Sequence, residues 1–205
     1  MKRFLLLVII VASIKTAAAQ AWWGLKAGFN ISNIILTDPS QKYGKFTPIT
    51  DFSGGMLVAI RLRDHLFLQP ELMVSGQGGT LNSVTEHFVY FNTPILIRYQ
   101  SPNGWFAETG MQPGMIIDEN HTLVDYTNNT QKSQMDVSWV FGAGYLTKIN
   151  LGIDIRYNIG VMPFYVVNGQ GINGRNSVFQ FSIFYIFPKR KSDFLHYVPP
   201  KKNAT

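Results

Sequence analysis

The sequence predicts an all-β chain folded as an eight-stranded antiparallel transmembrane up-and-down β-barrel. Three observations carry this. In residues 150–160 every second residue (Leu151, Ile153, Ile155, Tyr157, Ile159) is apolar, and the residues between are polar or glycine, the period-two pattern of a strand with one apolar face. Similar alternation recurs in eight stretches of about ten residues or more, the length a tilted bilayer-crossing strand needs. Charged residues make up only 15% of the chain and aromatics 14%, low and high respectively for a soluble domain. The 205 residues suit one domain.

The N-terminus reads as a secretory signal peptide over 1–19. Met1-Lys2-Arg3 is basic, Phe4 to Ala12 is apolar, and Thr16 to Ala21 is small and polar, with small-x-small cleavage sites after Ala19 and Ala21. The apolar run is too short for a spanning helix, and Lys15 interrupts it. There is no cysteine, which excludes a lipoprotein anchor and a disulfide framework. The net charge of +6 sits at the two ends. Without Lys2, Arg3 and Lys15 it falls to +3, and the 188–205 tail alone contributes +4 through Lys189, Arg190, Lys191, Lys201 and Lys202 against Asp193. The body over 20–187 is near −1 and gives no ground for nucleic-acid binding.

The elements follow in order. Strand one, 24–34, alternates Leu25, Ala27, Phe29 and Ile31 with Lys26, Gly28 and Asn30, and a two-proline loop spans 35–50. Strand two, 52–62, carries Met56, Val58 and Ile60 on one face, and Arg63-Asp64-His65 turns the chain into strand three, 66–75. After a loop at 76–86, strand four runs over 87–99, and Ser101-Pro102-Asn103-Gly104 leads into strand five, 105–116. A polar loop over 117–134 precedes strand six, 135–147. Lys148-Ile149 turns it into strand seven, 150–160, and a loop over 161–176 precedes strand eight, 177–187. Prolines within strands three, four and five must fall at irregular or end positions.

The apolar faces are bulky and aromatic, and the opposite faces carry Lys26, Arg61, Glu71, Arg98, Glu108, Asp136, Asp154 and Arg156 together with many glycines. Lipid outside and a polar interior inside accounts for both. The eight charges then form a structural network in the lumen, where ions removed from water must pair, and glycines leave room for them in a barrel only wide enough for side chains. The loops alternate long and short, which places 35–50, 76–86, 117–134 and 161–176 outside the cell and the tight turns in the periplasm. Trp22, Trp23, Tyr99, Trp105 and Phe187 would form the aromatic girdle at the turn end.

Several motifs support a family likeness. They are Gly24-Leu25-Lys26-Ala27-Gly28-Phe29-Asn30, Pro94 in an apolar strand ending at Arg98, Phe141-Gly142-Ala143-Gly144-Tyr145, Asp154-Ile155-Arg156-Tyr157 followed by Gly160, and the aromatic last strand. Over nearly all of 20–187 the chain resembles the PorT-like outer-membrane β-barrel proteins of Bacteroidetes-type bacteria. That resemblance implies an eight-stranded barrel akin to the small outer-membrane proteins A and X, and no reaction. Asn92 stands where members usually carry an acidic residue, and eighteen residues follow Phe187 where most members end.

The expected role is non-enzymatic: a bacterial outer-membrane barrel in contact with lipid, structural or interacting with an extracellular ligand or protein through its loops. No cofactor or metal is expected, because His65, His87, His121 and His196 lack ligand spacing. The Gly169-x-Gly171-x-x-Gly174 run precedes a strand, whereas a dinucleotide site precedes a helix. One alternative is a lipid-modifying barrel enzyme using His121 near Asp118, Glu119 and Asp125, or His87 beside Glu86, to activate a serine. The other is a soluble lipocalin-like barrel that turns its apolar faces inward around a ligand.

Overall fold

The computed structural model describes residues 21–37, 45–81, 84–120, 130–163, 165–167 and 172–188. The expected signal peptide (1–19) and all of the basic tail beyond Pro188 lie outside them. The strands are β1 (Ala21–Thr37), β2 (Ile49–Arg63), β3 (Leu66–Leu81), β4 (Val84–Asn92), β5 (Ile95–Gln100), β6 (Trp105–Asn120), β7 (Thr130–Lys132), β8 (Met135–Leu146), β9 (Leu151–Gly160), β10 (Tyr165–Val167) and β11 (Ile172–Ile186).

The expectation of an eight-stranded up-and-down barrel is corrected by this topology. The described strands form one eleven-stranded sheet in the order β1-β2-β3-β4-β6-β8-β9-β11-β10-β7, with β5 off that path between β3 and β6. The two ends of the path, β1 and β7, are not paired with each other among the described residues; β1 pairs instead with β11, from Gly24 opposite Ile186 to Thr37 opposite Asn173. A single ring of eight uninterrupted strands is therefore not what the chain builds.

Two of the additional strands, β7 and β10, lie within the stretches expected as loops, 117–134 and 161–176, and the third arises from the proline positions. Pro94 separates β4 from β5, and Pro70 of β3 and Pro113 of β6 flank that break. Proline has no N–H to give to a ladder. At the break each available donor finds a proline carbonyl: Glu71 N–H donates to Pro94 O (2.9 Å) and Thr93 N–H to Pro113 O (2.8 Å). The register is the same on either side, with Met73 opposite Asn92 and Pro70 opposite Ile95.

Strand lengths depart from expectation at one end of the sheet. The expected loop at 76–86 is strand on both sides of residues 82–83, and β1, β6 and β11 run on through Thr37, Asn120 and back to Ile172. At the other end the turns are tight, and Asn150 adopts a left-handed conformation (φ 63°) in the turn whose Asn150 N–H bonds Thr147 O.

The sheet has two unlike faces. Leu25, Phe29, Ile97, Phe141, Ile153, Ile155, Phe179 and Ile183 are exposed. Their neighbours along the same strands, among them Lys26, Arg98, Asp154, Arg156, Gln180 and Ser182, are buried, as is Glu108 on β6. The buried side is layered. An apolar cluster of Trp22, Leu57, Ala59, Phe67, Phe106, Leu146, Phe184 and Ile186 occupies the tight-turn end. A second cluster of Ile34, Phe88 and Tyr90, with Leu36, Phe46 and Ile116 against it, lies toward the long-strand end. Charged and neutral polar side chains fill the space between.

Candidate functional site: a buried ionic layer

The site begins with strand parity. Lys26 on β1, Glu71 on β3, Arg98 on β5, Glu108 on β6, and Asp154 and Arg156 on β9 all point to the buried side. Arg156 is its centre. Its Nη1 and Nη2 donate to the two carboxylate oxygens of Glu71, each at 2.7 Å, and its Nε donates to Glu108 Oε1 at 2.5 Å. The fork-on-carboxylate geometry with Glu71 is the strongest side-chain pairing available to a guanidinium. Lys26 forms an ion pair with Asp154 and lies 3.8 Å from Glu71.

Two glutamines tie Arg98 in. Gln69 donates to Glu71 (2.7 Å) and to Glu108 (3.3 Å), while its carbonyl accepts from Arg98 Nη1 (3.0 Å). Gln100 accepts from Arg98 Nη2 (2.6 Å). Arg98 stands opposite Glu108 in the β5–β6 register, and its guanidinium lies over the Phe106 ring, 3.5 Å from the centroid. This layer therefore holds Lys26, Arg98 and Arg156 against Glu71, Glu108 and Asp154, equal numbers of each sign.

Of the eight charges singled out in the sequence, these six come together and two stand apart. Arg61 lies at the tight-turn end over the rings of Trp22 (5.9 Å) and Phe67 (5.3 Å). Asp136 accepts from Asn176 Nδ2 (3.0 Å), which also contacts Tyr90 Oη (3.0 Å). Sequence reasoning missed Gln69, Gln100 and Phe106 as members. Each sits two residues from a charge on the same strand (Glu71, Arg98, Glu108), and that spacing was the available signal.

The glycines have more than one role. Gly142 lies between Glu108 and Arg156 in the register, and a Cβ there would come within 3.0 Å of both side chains, so its absence lets them meet. Gly152 is different: the space above it is taken by the Phe184 ring, whose Cζ would lie 2.2 Å from an added Cβ. The expectation that Gly152 makes room for charge is corrected, since an aromatic ring claims it.

The remaining candidates are dispersed. His65 Nδ1 is 3.1 Å from Gln100 O, His87 contacts Asp51, and His121, Asp125 and His196 lie outside the described residues. The described part of the glycine run, Gly174, lies within β11 and not before a helix. Among the described residues no group of three or more His, Cys, Asp or Glu is placed to hold a metal ion, and no helix is long and apolar enough to cross a membrane, which says nothing of strands.

An all-antiparallel sheet, bulky and apolar on its exposed face and ion-paired on its buried one, has the construction of an outer-membrane β-sheet protein. The family described as "Outer membrane protein beta-barrel domain" matches residues 17–166, and the chain belongs to it. The match is to this broad family and does not reach the narrower PorT-like group. Among solved structures, neisserial surface protein A is similar in fold, with a TM-score of 0.55 at 11% identity over 80% of this chain and 97% of that one. The attachment invasion locus protein Ail of Yersinia pestis gives a TM-score of 0.44 at 10% identity over 82% and 99%. OprG of Pseudomonas aeruginosa gives 0.47 at 12% identity over 82% and 97%. No curated protein matches the sequence. Outer-membrane localisation is consistent with the family and with the fold.

Proposed function

We propose that this chain is a non-enzymatic integral protein of the bacterial outer membrane, exported by a cleaved signal peptide over 1–19, whose role is structural or exerted through the segments joining its long strands. One observation carries the reading: on the outward face, the polar groups of Thr109, Trp139, Tyr157 and Ser177 are bonded within the protein. Trp139 Nε1 donates to Thr109 Oγ1 (3.0 Å), which donates to Val140 O (2.9 Å), and Tyr157 Oη meets Ser177 Oγ (2.9 Å). In water these groups would need no internal partner; against hydrocarbon an unsatisfied one costs several kcal/mol. The exposed Trp23, Tyr99, Trp105 and Phe187 at the tight-turn end fit a girdle at one membrane interface. Trp22, expected in the same girdle, is buried in the interior instead.

The six-residue ionic layer is read as structural. It fills the interior with mutually neutralised charge and leaves none of the six exposed. The PorT-like resemblance is the finer form of this proposal, and the basic tail over 188–205 is then a periplasmic extension. A lipid-modifying enzyme would need a serine at the His87–Asp51 pair, and among the described residues none is bonded to it. A soluble ligand-binding fold would need the apolar face inside, where Lys26, Arg98 and Arg156 lie. The test is fractionation of the native host combined with gel migration before and after boiling. Recovery in the outer-membrane fraction with heat-modifiable migration is expected; a soluble periplasmic protein with heat-independent migration would overturn the proposal.

A further inference from the structure

At the long-strand end β3 leaves its neighbour. The β2–β3 ladder proceeds as far as Ser53 opposite Ser75 and then stops, apart from one bridge between Thr47 and Thr80. Beyond this point Ile49–Phe52 of β2 pair with Ser32–Phe29 of β1, and Gly76–Leu81 of β3, that bridge aside, pair with β4, from Gly76 opposite Val89 to Leu81 opposite Val84.

The backbone of β3 is nonetheless bonded on its other side, by side chains of β1. Asn30 Nδ2 donates to Gly76 O (3.1 Å). Ser32 Oγ donates to Gly78 O (3.2 Å) and accepts from Gly78 N–H (2.8 Å). Asn30 and Ser32 are both buried, on the face of β1 that carries Lys26. A backbone bonded to inward-facing side chains of β1 lies inside the sheet and not in its wall. Gly76, Gln77, Gly78 and Gly79 are accordingly buried in succession, where a wall strand would alternate. The Asp51 carboxylate reaches across Gly76 to His87 on β4; an added Cβ at Gly76 would lie 2.1 Å from Asp51 Cγ.

We propose that the β3–β4 hairpin, in its described residues 76–81 and 84–88, is an in-folded cap with a second, outward position in which β3 continues its ladder onto β2. The hydrogen bonds exchange almost one for one. Turned outward, Gly76–Gly79 lose Asn30 and Ser32 and gain the backbone of Ile49–Phe52, extending the existing Ser53–Ser75 register. Two arrangements with similar numbers of satisfied backbone groups differ by little free energy, which is what a two-position element requires. Three of the four residues that would change sides are glycine, so there is little side chain to rebury. The Thr47–Thr80 bridge (N–H to O distances of 2.8 and 2.9 Å) makes residues 45–48 move with the cap, and the Asp51–His87 contact pins it inward.

Outward movement would uncover a neutral polar layer. Gln77 and Asn92 both donate to Ser75 Oγ (3.0 and 2.8 Å), and Gln180 donates to Ser53 Oγ (3.2 Å). The ionic layer and the apolar cluster at the tight-turn end remain in place beneath, so the result is a blind vestibule open to one side and not a pore.

The chain has no cysteine, so a single introduced thiol reports cleanly. Ser75→Cys places it under the cap, and Ala59→Cys places a control in the apolar cluster at the other end. Both are to be labelled in the folded full-length mature protein in detergent with a membrane-impermeant maleimide, with and without Asn30→Ala and Ser32→Ala. The expected result is labelling at position 75 at least tenfold faster in the double-alanine background, with position 59 unchanged. An unchanged rate at 75 overturns the proposal, and so does equal acceleration at 59, because the whole interior would then have loosened. Should the double variant not fold, His87→Ala, which removes only the pin, is expected to accelerate position 75 by a smaller factor; no acceleration there overturns the proposal equally.

Discussion

The ionic layer and the in-folded end of β3 lie on the same buried side of the same sheet and are held in opposite ways. Arg156 is bonded to Glu71 on β3 and to Glu108 on β6, while Lys26 joins β1 to β9 through Asp154. Several strands are thus cross-linked by charge, with the Phe106 and Phe184 rings packed edge to face beside them (5.8 Å). Apart from its ladder to β4, the end of β3 is held by three neutral bonds with two β1 side chains and by the Thr47–Thr80 bridge, while Asp51 contacts its β4 neighbour His87. Paired charges in a dry interior cannot let go singly without stranding a partner, whereas neutral bonds to backbone can be exchanged. One polar interior therefore contains a fixed part and an exchangeable part.

Substitutions can break this contrast in order of effect. Arg156→Leu should be the most severe, because it strands Glu71 and Glu108 without their guanidinium. A loss of about 3–5 kcal/mol is expected, read as failure to refold into micelles or loss of heat-modifiable migration. A variant as stable as the parent would end the claim that this layer is fixed by charge. Phe184→Ala should cost about 3 kcal/mol through the cavity it leaves beside Phe106 and Gly152, visible as a lower denaturation midpoint. Gly142→Val should be smaller in cost but specific, wedging Arg156 from Glu108, with about 1–3 kcal/mol lost to overpacking. Asn30→Ala should cost only about 1 kcal/mol globally, while amide exchange at Gly76 and Gly78 speeds up and exchange in β9 does not. If β9 exchange rose in step, the two regions would be one cooperative unit and the contrast would fail.

The legible part of this molecule was what parity alone dictates. Alternation in 150–160 placed Asp154 and Arg156 on one side and Ile153 and Ile155 on the other, and the structure agrees residue by residue. The six charges that meet were all readable as one face, but their meeting was not, because contact between β3 and β9 depends on how the sheet curls and not on any local spacing. Leu57, Phe67, Phe106, Phe184 and Ile186 broke the polar face of their strands in the sequence, and that irregularity was the signature of the apolar cluster at the tight-turn end. The segment 76–86 was illegible for another reason. Its glycines resemble a loop in composition, yet they are strand, laddered to β4 on one edge and bonded by β1 side chains on the other. The overall strand count failed where Pro94 interrupts a ladder without shifting it, and where the short β7 and β10 form within stretches that read as loops.

Those prolines also bear on how the chain finds its pairing. Pro70, Pro94 and Pro113 belong to neighbouring segments and meet at one break, where the N–H groups of Glu71 and Thr93 donate to the carbonyls of Pro94 and Pro113. A strand pair displaced by two residues keeps its apolar face outward and so escapes the usual penalty for misalignment. Here such a displacement would also move Pro94 and Pro113 apart along their strands, so that the N–H groups the two prolines lack would be missing at two levels of the sheet and not at one. In the observed alignment those gaps are gathered at one level, where Glu71 and Thr93 each bond a proline carbonyl through a single N–H.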